Sequence, residues 1–146
     1  MTEGLSTTSV DIKERISTIG YLFVKEKLVD PYIVTIDSIL LRAKGHLWHK
    51  SSMIKGVVLR SGIDIDARWR FSHTKGWIFG YKLHIIASTG SLIVPLSEDF
   101  TQADVQDNQI YPAIISSLPK GVRYVTGDSG YDDYKLFDLS INRRGF

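Results

Sequence analysis

A chain of 146 residues, 43% hydrophobic and 23% charged, has the length of one ordinary domain and a composition that excludes a disordered polypeptide. It contains no cysteine, so disulfides and thiolate metal sites are excluded, and no apolar run approaches the ~18 residues of a membrane span. Net charge is only +2, yet residues 42–82 hold nine Lys or Arg against Asp64 and Asp66, which gives that segment +7 and leaves −5 for the remainder.

The first nine residues are polar and lack the apolar core of a secretory signal, so the cytoplasm is the expected location. Residues 8–29 have helical spacing in Ile12, Ile16, Ile19 and Phe23, with Thr8 and Asp11 as a capping pair. Asp30-Pro31 stops that helix, because a residue before proline is pushed out of the α region. Residues 33–41 read as a strand running through Asp37. Residues 42–73 show no sustained period and read as a long loop with some short strand structure.

Residues 77–87 then alternate as a strand, Thr89-Gly90-Ser91 turns, and 92–96 returns, with Pro95 arguing for an edge or a bulge. Residues 103–118 read as a helix, with Pro112 as a kink or boundary. Pro119-Lys120-Gly121 is a turn, 122–127 is a strand ending at Asp128, and Asp132 or Asp133 caps a short helix through Ser140.

Two of these strands end alike. Ile33-Val34-Thr35-Ile36 runs into Asp37, and Tyr124-Val125-Thr126-Gly127 runs into Asp128, ninety-one positions later. One reading makes each aspartate the start of a turn, since Asp-Ser and Gly-Asp-Ser-Gly both favour turns. The other places the strands side by side, so that the two carboxylates share Mg²⁺ or Mn²⁺ as in phosphoryl transfer.

The basic segment also has two readings. It is either a solvated surface over a few buried aromatics or a face for a polyanion, since neutralised phosphates drive nucleic-acid affinity. Lys50, Arg68, Arg70, Lys75 and Lys82 are its candidate DNA ligands, and alternation puts Lys82 on one strand face with His84. His84 reads as a satisfied packing histidine. Trp48, Trp69 and Trp77 read as core or hairpin packing, and Asp64 and Asp66 as turn acids pairing with Arg68 or Arg70. His46 and His49 lack a third ligand for zinc.

Several segments in order resemble the DDE transposases of bacterial and archaeal insertion sequences. These are Ile36-Asp37-Ser38, Trp48-His49-Lys50, Asp64-Ile65-Asp66-Ala67-Arg68-Trp69 and the run 75–84. Thr101-Gln102-Ala103-Asp104-Val105-Gln106-Asp107 and Gly127-Asp128-Ser129-Gly130-Tyr131-Asp132 complete the series.

The resemblance implies an α/β, partial ribonuclease-H-like fold: a mixed sheet of about four strands with helices, its fifth strand and final catalytic helix missing. It implies a leading helix over 1–30 and a partial catalytic domain over 31–146. Asp37 and Asp128 become the first two catalytic acids and metal ligands, on Mg²⁺ or Mn²⁺, with double-stranded DNA at the element ends and target as partner. The full-length family member would form a homodimer and act at the nucleoid. The family's third acid is a glutamate beyond a further strand, whereas this sequence has no Asp or Glu after Asp138. The expectation is therefore a C-terminally truncated DNA transposase that is inactive alone. The alternatives are a catalytically dead DNA-binding remnant and a ribonuclease-H-like nuclease.

Overall fold

The computed structural model describes residues 3–128, with side chains described from Ile12 onward. The expected helix from Asp132 or Asp133 to Ser140 lies outside the described residues. Eight elements follow in order: α1 (Glu3–Lys25), β1 (Ile33–Arg42), α2 (Lys50–Ile54), β2 (Arg68–Ser72), β3 (Gly76–Ser88), β4 (Pro95–Gln102), α3 (Asp107–Ser116) and β5 (Tyr124–Gly127). No described helix is long and apolar enough to cross a membrane.

The sheet is mixed and has five strands in the order β2-β3-β1-β5, with β4 also paired to β3. β1 and β5 run parallel, Ile33 opposite Tyr124 through Ile36 opposite Gly127, while β2 and β3 form an antiparallel hairpin. An antiparallel group joined through a helix to a parallel strand is compatible with a partial ribonuclease-H-like fold. The strand beyond the expected four is β2, which lies in the segment read as loop.

The chain forms two compact units, and β1, β3 and β4 each contribute residues to both. The first comprises the described parts of Met1–Ser38, His84–Asp99 and Gln106–Phe146. Its core joins Val34 and Ile36 of β1, Ile86 of β3 and Leu96 of β4 to Tyr111, Ile114 and Ile115 of α3, with Val24 of α1 packed alongside. Burial of this apolar area is the main force holding the helices to the strands. Polar links add specificity: Ser97 Oγ lies 2.5 Å from Ser117 Oγ, and the buried His84 places Nδ1 3.5 Å from an Asp107 carboxylate oxygen.

The second unit, Ile39–Leu83 and Phe100–Val105, is built around Trp48, Ala67 and Phe79, with Met53, Ile63, Trp69 and Tyr81 packed against them.

Several boundaries differ from the sequence reading. α1 begins at Glu3, ahead of Thr8, so the expected capping pair lies inside the helix. It ends at Lys25, before the Asp30-Pro31 stop. Lys27, at φ 58°, takes the left-handed conformation that closes a helix, and the Leu28 amide donates to the Phe23 carbonyl at 2.9 Å. α3 starts at Asp107 and continues through Pro112 to Ser116. Pro95 is the first residue of β4, where its missing N–H is tolerated.

Candidate functional site

The acid pair is set by strand periodicity and register. Along β1, Val34 and Ile36 are buried in the core, so Thr35 and Asp37 belong to the opposite face; Asp37 is exposed. On β5, Val125 packs against the same core and stands opposite Val34, while Thr126 stands opposite Thr35. Asp37 follows Ile36, and Asp128 follows its partner Gly127. Each aspartate is therefore the residue next after one registered pair, on backbones that lie about 4.8 Å apart where they are paired.

β5 ends at Gly127 while β1 continues to Arg42, so the pair stands where β5 leaves β1, and Asp128 is exposed as well. The Ser38 amide donates to Asp37 Oδ1 at 2.7 Å and fixes that carboxylate against its own backbone.

Two exposed carboxylates on adjacent strands supply the hard oxygen donors that Mg²⁺ or Mn²⁺ prefers. Among the described residues no three His, Asp or Glu side chains converge into a larger metal cluster.

The candidate DNA ligands fall into different environments. Lys50 lies on α2, its Nζ 2.9 Å from the centre of the Trp77 ring and 5.9 Å from that of Trp69. This is a cation–π seat on the half-exposed face of the β2–β3 hairpin. Arg68 and Arg70 share the other hairpin face, and Arg68 donates to the carbonyls of Ile65 and Ala67 at 2.8 and 2.9 Å. Lys75 is exposed in the hairpin turn.

Lys82 departs from the expectation of a phosphate ligand. It is 3% exposed, and its Nζ donates to the Val105 carbonyl at 2.8 Å. The alternation that pairs it with His84 is present, but the shared face is the buried one.

Asp64 is a turn acid of a different kind from the one expected. Its Oδ1 accepts from the amides of Asp66 and Ala67, and its Oδ2 accepts from the Tyr81 hydroxyl at 2.7 Å. Burial, followed by the Asp64 hydrogen bond and the charges of Asp64 and Asp66, pushes the Tyr81 phenol well above its ordinary range, against an opposing pull from Arg68. Trp48 and Trp69 pack in the second unit's core, and Trp77, although 52% exposed, packs across the hairpin on Phe71 with ring centres 5.4 Å apart, so all three behave as the sequence reading has them. Sequence reasoning missed the Tyr81–Asp64 link, whose signal was a tyrosine hydroxyl on a largely buried strand, where it needs a partner.

No curated protein and no solved structure matches the chain. A family model described as the transposase DDE domain matches residues 29–145, a span that takes in both aspartates, the basic hairpin and α3. The chain belongs to the transposase DDE-domain family.

Proposed function

We propose that this protein serves DNA transposition by metal-dependent strand cleavage and strand transfer at insertion-sequence ends, with Asp37 and Asp128 as its first two acids. Family membership carries polynucleotidyl transfer on DNA with divalent metal. The observation that most supports the residue assignment is the parallel register of β1 on β5, in which the exposed Asp37 and Asp128 directly follow the partners Ile36 and Gly127.

Mg²⁺ or Mn²⁺ held there would activate water or a DNA 3′-hydroxyl and stabilise charge on the leaving oxygen. The chain's own residues do the positioning. The pairing of β1 with β5 would bring the carboxylates together, the Ser38 amide orients one of them, and both aspartates are exposed to an approaching phosphodiester. Lys50, Arg68, Arg70 and Lys75 attract the DNA backbone, while Lys82 acts inside the protein. The reading retains residues 31–146 as the catalytic domain, a homodimer for the full-length member and action at the nucleoid.

The resemblance puts the third acid, a glutamate, beyond a further strand, and no Asp or Glu follows Asp138 in these 146 residues. The test is cleavage of DNA carrying the element ends in Mg²⁺ or Mn²⁺, first by the 146 residues alone and then with a polypeptide supplying the third acid. The expected result is no cleavage alone, and metal-dependent cleavage on complementation that Asp37→Asn or Asp128→Asn abolishes. Complemented activity indifferent to both substitutions would sink the assignment. Cleavage by the 146 residues alone, lost in either variant, would overturn their inactivity. A second reading, DNA binding without chemistry, draws on the basic hairpin. It predicts binding with no cleavage under any complementation.

A further inference from the structure

Residues 46–63, with α2 among them, close on themselves and line a half-open cavity that the acid pair does not use. At its neck the His46 amide donates to the Gly62 carbonyl at 3.2 Å, and His46 and Ile63 make an isolated parallel bridge. Gly45, at φ 97°, permits this approach, because a Cβ there would overlap the Gly62 carbonyl oxygen.

Trp48 is fixed within the loop by two hydrogen bonds. Its Nε1 donates to the Val57 carbonyl at 2.9 Å, and its own carbonyl accepts from Trp69 Nε1 at 2.6 Å. The wall it forms is thus in place before anything binds, which lowers the ordering cost of binding.

The cavity measures about 330 Å³. That lies at the lower end of the ~300–1,000 Å³ typical of small-ligand sites. Leu47, Trp48 and Leu59 give it an apolar side, and His46, His49 and Arg60 give it nitrogen donors. Leu59 is 68% exposed, far more than an aliphatic side chain needs to be beside a core. A guanidinium fork with imidazoles close by matches a phosphate, and an aromatic and aliphatic wall accepts the face of a nucleobase. One ligand class presents both chemistries together.

From this juxtaposition we propose that the 46–63 cavity takes one unpaired nucleotide of DNA, its phosphate on Arg60, His46 and His49 and its base against Leu47, Trp48 and Leu59. The inference rests on the DNA reading above and adds a preference to it. A paired, stacked base cannot enter, and extruding one costs least where it is already unpaired. The loop therefore selects distorted or single-stranded DNA over intact duplex.

The test compares the full chain on two labelled duplexes that differ by one bulged nucleotide, by fluorescence anisotropy, with 2-aminopurine in the bulge reporting insertion. The bulged duplex is expected to bind more tightly by on the order of tenfold, with a change in 2-aminopurine emission. Arg60→Gln and Leu59→Ser should each remove that preference while leaving most of the affinity for matched duplex. Both side chains are exposed, and circular dichroism checks that the variants fold. Equal affinity for the two duplexes overturns the cavity inference and leaves the DNA reading standing. A preference that survives both substitutions overturns it too, by putting the recognition elsewhere. Binding to neither duplex at low salt overturns the DNA reading along with it.

Discussion

Glu98 shows how a single side chain sets pH behaviour away from the acid pair. It is 7% exposed on β4, and burial, with a smaller contribution from Asp99, raises its carboxyl above the usual range against the opposing charge of Lys13. Its folded form therefore holds a proton more firmly than its unfolded form does. Such a group contributes stability that is fully present below the ordinary glutamate value and is lost as pH rises through the folded value. Glu98→Gln removes the ionisation and keeps the shape. The variant should be more stable than the parent at pH 7, and the difference should shrink towards pH 4. Urea unfolding at the two pH values reads this, and a variant less stable at pH 7 would mean that the ionised carboxylate has a favourable role.

At the scale of elements, β3 organises the sheet, with β2, β4 and β1 as its neighbours. Gly80 is the position where this crowding is greatest. A Cβ there would overlap the Leu41 carbonyl oxygen, and the Gly80 carbonyl accepts from the Ala103 amide at 3.2 Å. Gly80→Ala should destabilise the protein by about 1–3 kcal/mol or more, because backbone cannot move aside as a side chain does. A urea midpoint unchanged from that of the parent would show that β1 and β3 have room to separate.

The elements differ in how plainly the sequence announces them. β1 and β5 are legible because each is a β-branched run between turn residues, and the hydrophobic spacing of α1 is equally clear. β4 was placed too early, at 92–96. Its strand continues through Ser97, Glu98 and Asp99, whose polar character hides burial supported by Ser97 hydrogen bonds to Ile114 and Ser117. β2 falls in the segment expected to be a loop with some short strand structure, and its Arg68-Trp69-Arg70-Phe71 alternation has the strand period but is too short to mark the element's bounds. In the candidate site, the two aspartates are legible as the residues that close two apolar runs, although Asp37 lies midway along β1 and only Asp128 stands just past a strand. The inward turn of Lys82 was not, since alternation fixes which residues share a face but not which face meets the core.

For the whole molecule, the uneven charge predicts the form of DNA binding. If Lys50, Arg68, Arg70 and Lys75 each neutralise one phosphate, the logarithm of affinity should fall against the logarithm of salt with a slope of about −3.6. Lys75→Ala should reduce the magnitude of that slope by about 1 and leave the urea midpoint in place, because the side chain is exposed in a turn. Arg68→Ala should lower the midpoint as well, since its guanidinium also holds two backbone carbonyls. A flat salt response would favour the solvated surface.

The pairing of β1 with β5 has a consequence in time. It joins residues ninety-one positions apart, whereas β2 and β3 meet across a short turn. Closing so long a stretch of chain costs entropy that only the finished contacts offset, so distant parallel strands zip up late on a folding route. The hairpin that gathers cations is expected to exist before the carboxylates are neighbours. Pulse-labelling hydrogen exchange during refolding should protect the Ile78 amide, which faces β2, ahead of that of Thr126, and the reverse order would make the acid pair the nucleus of the fold.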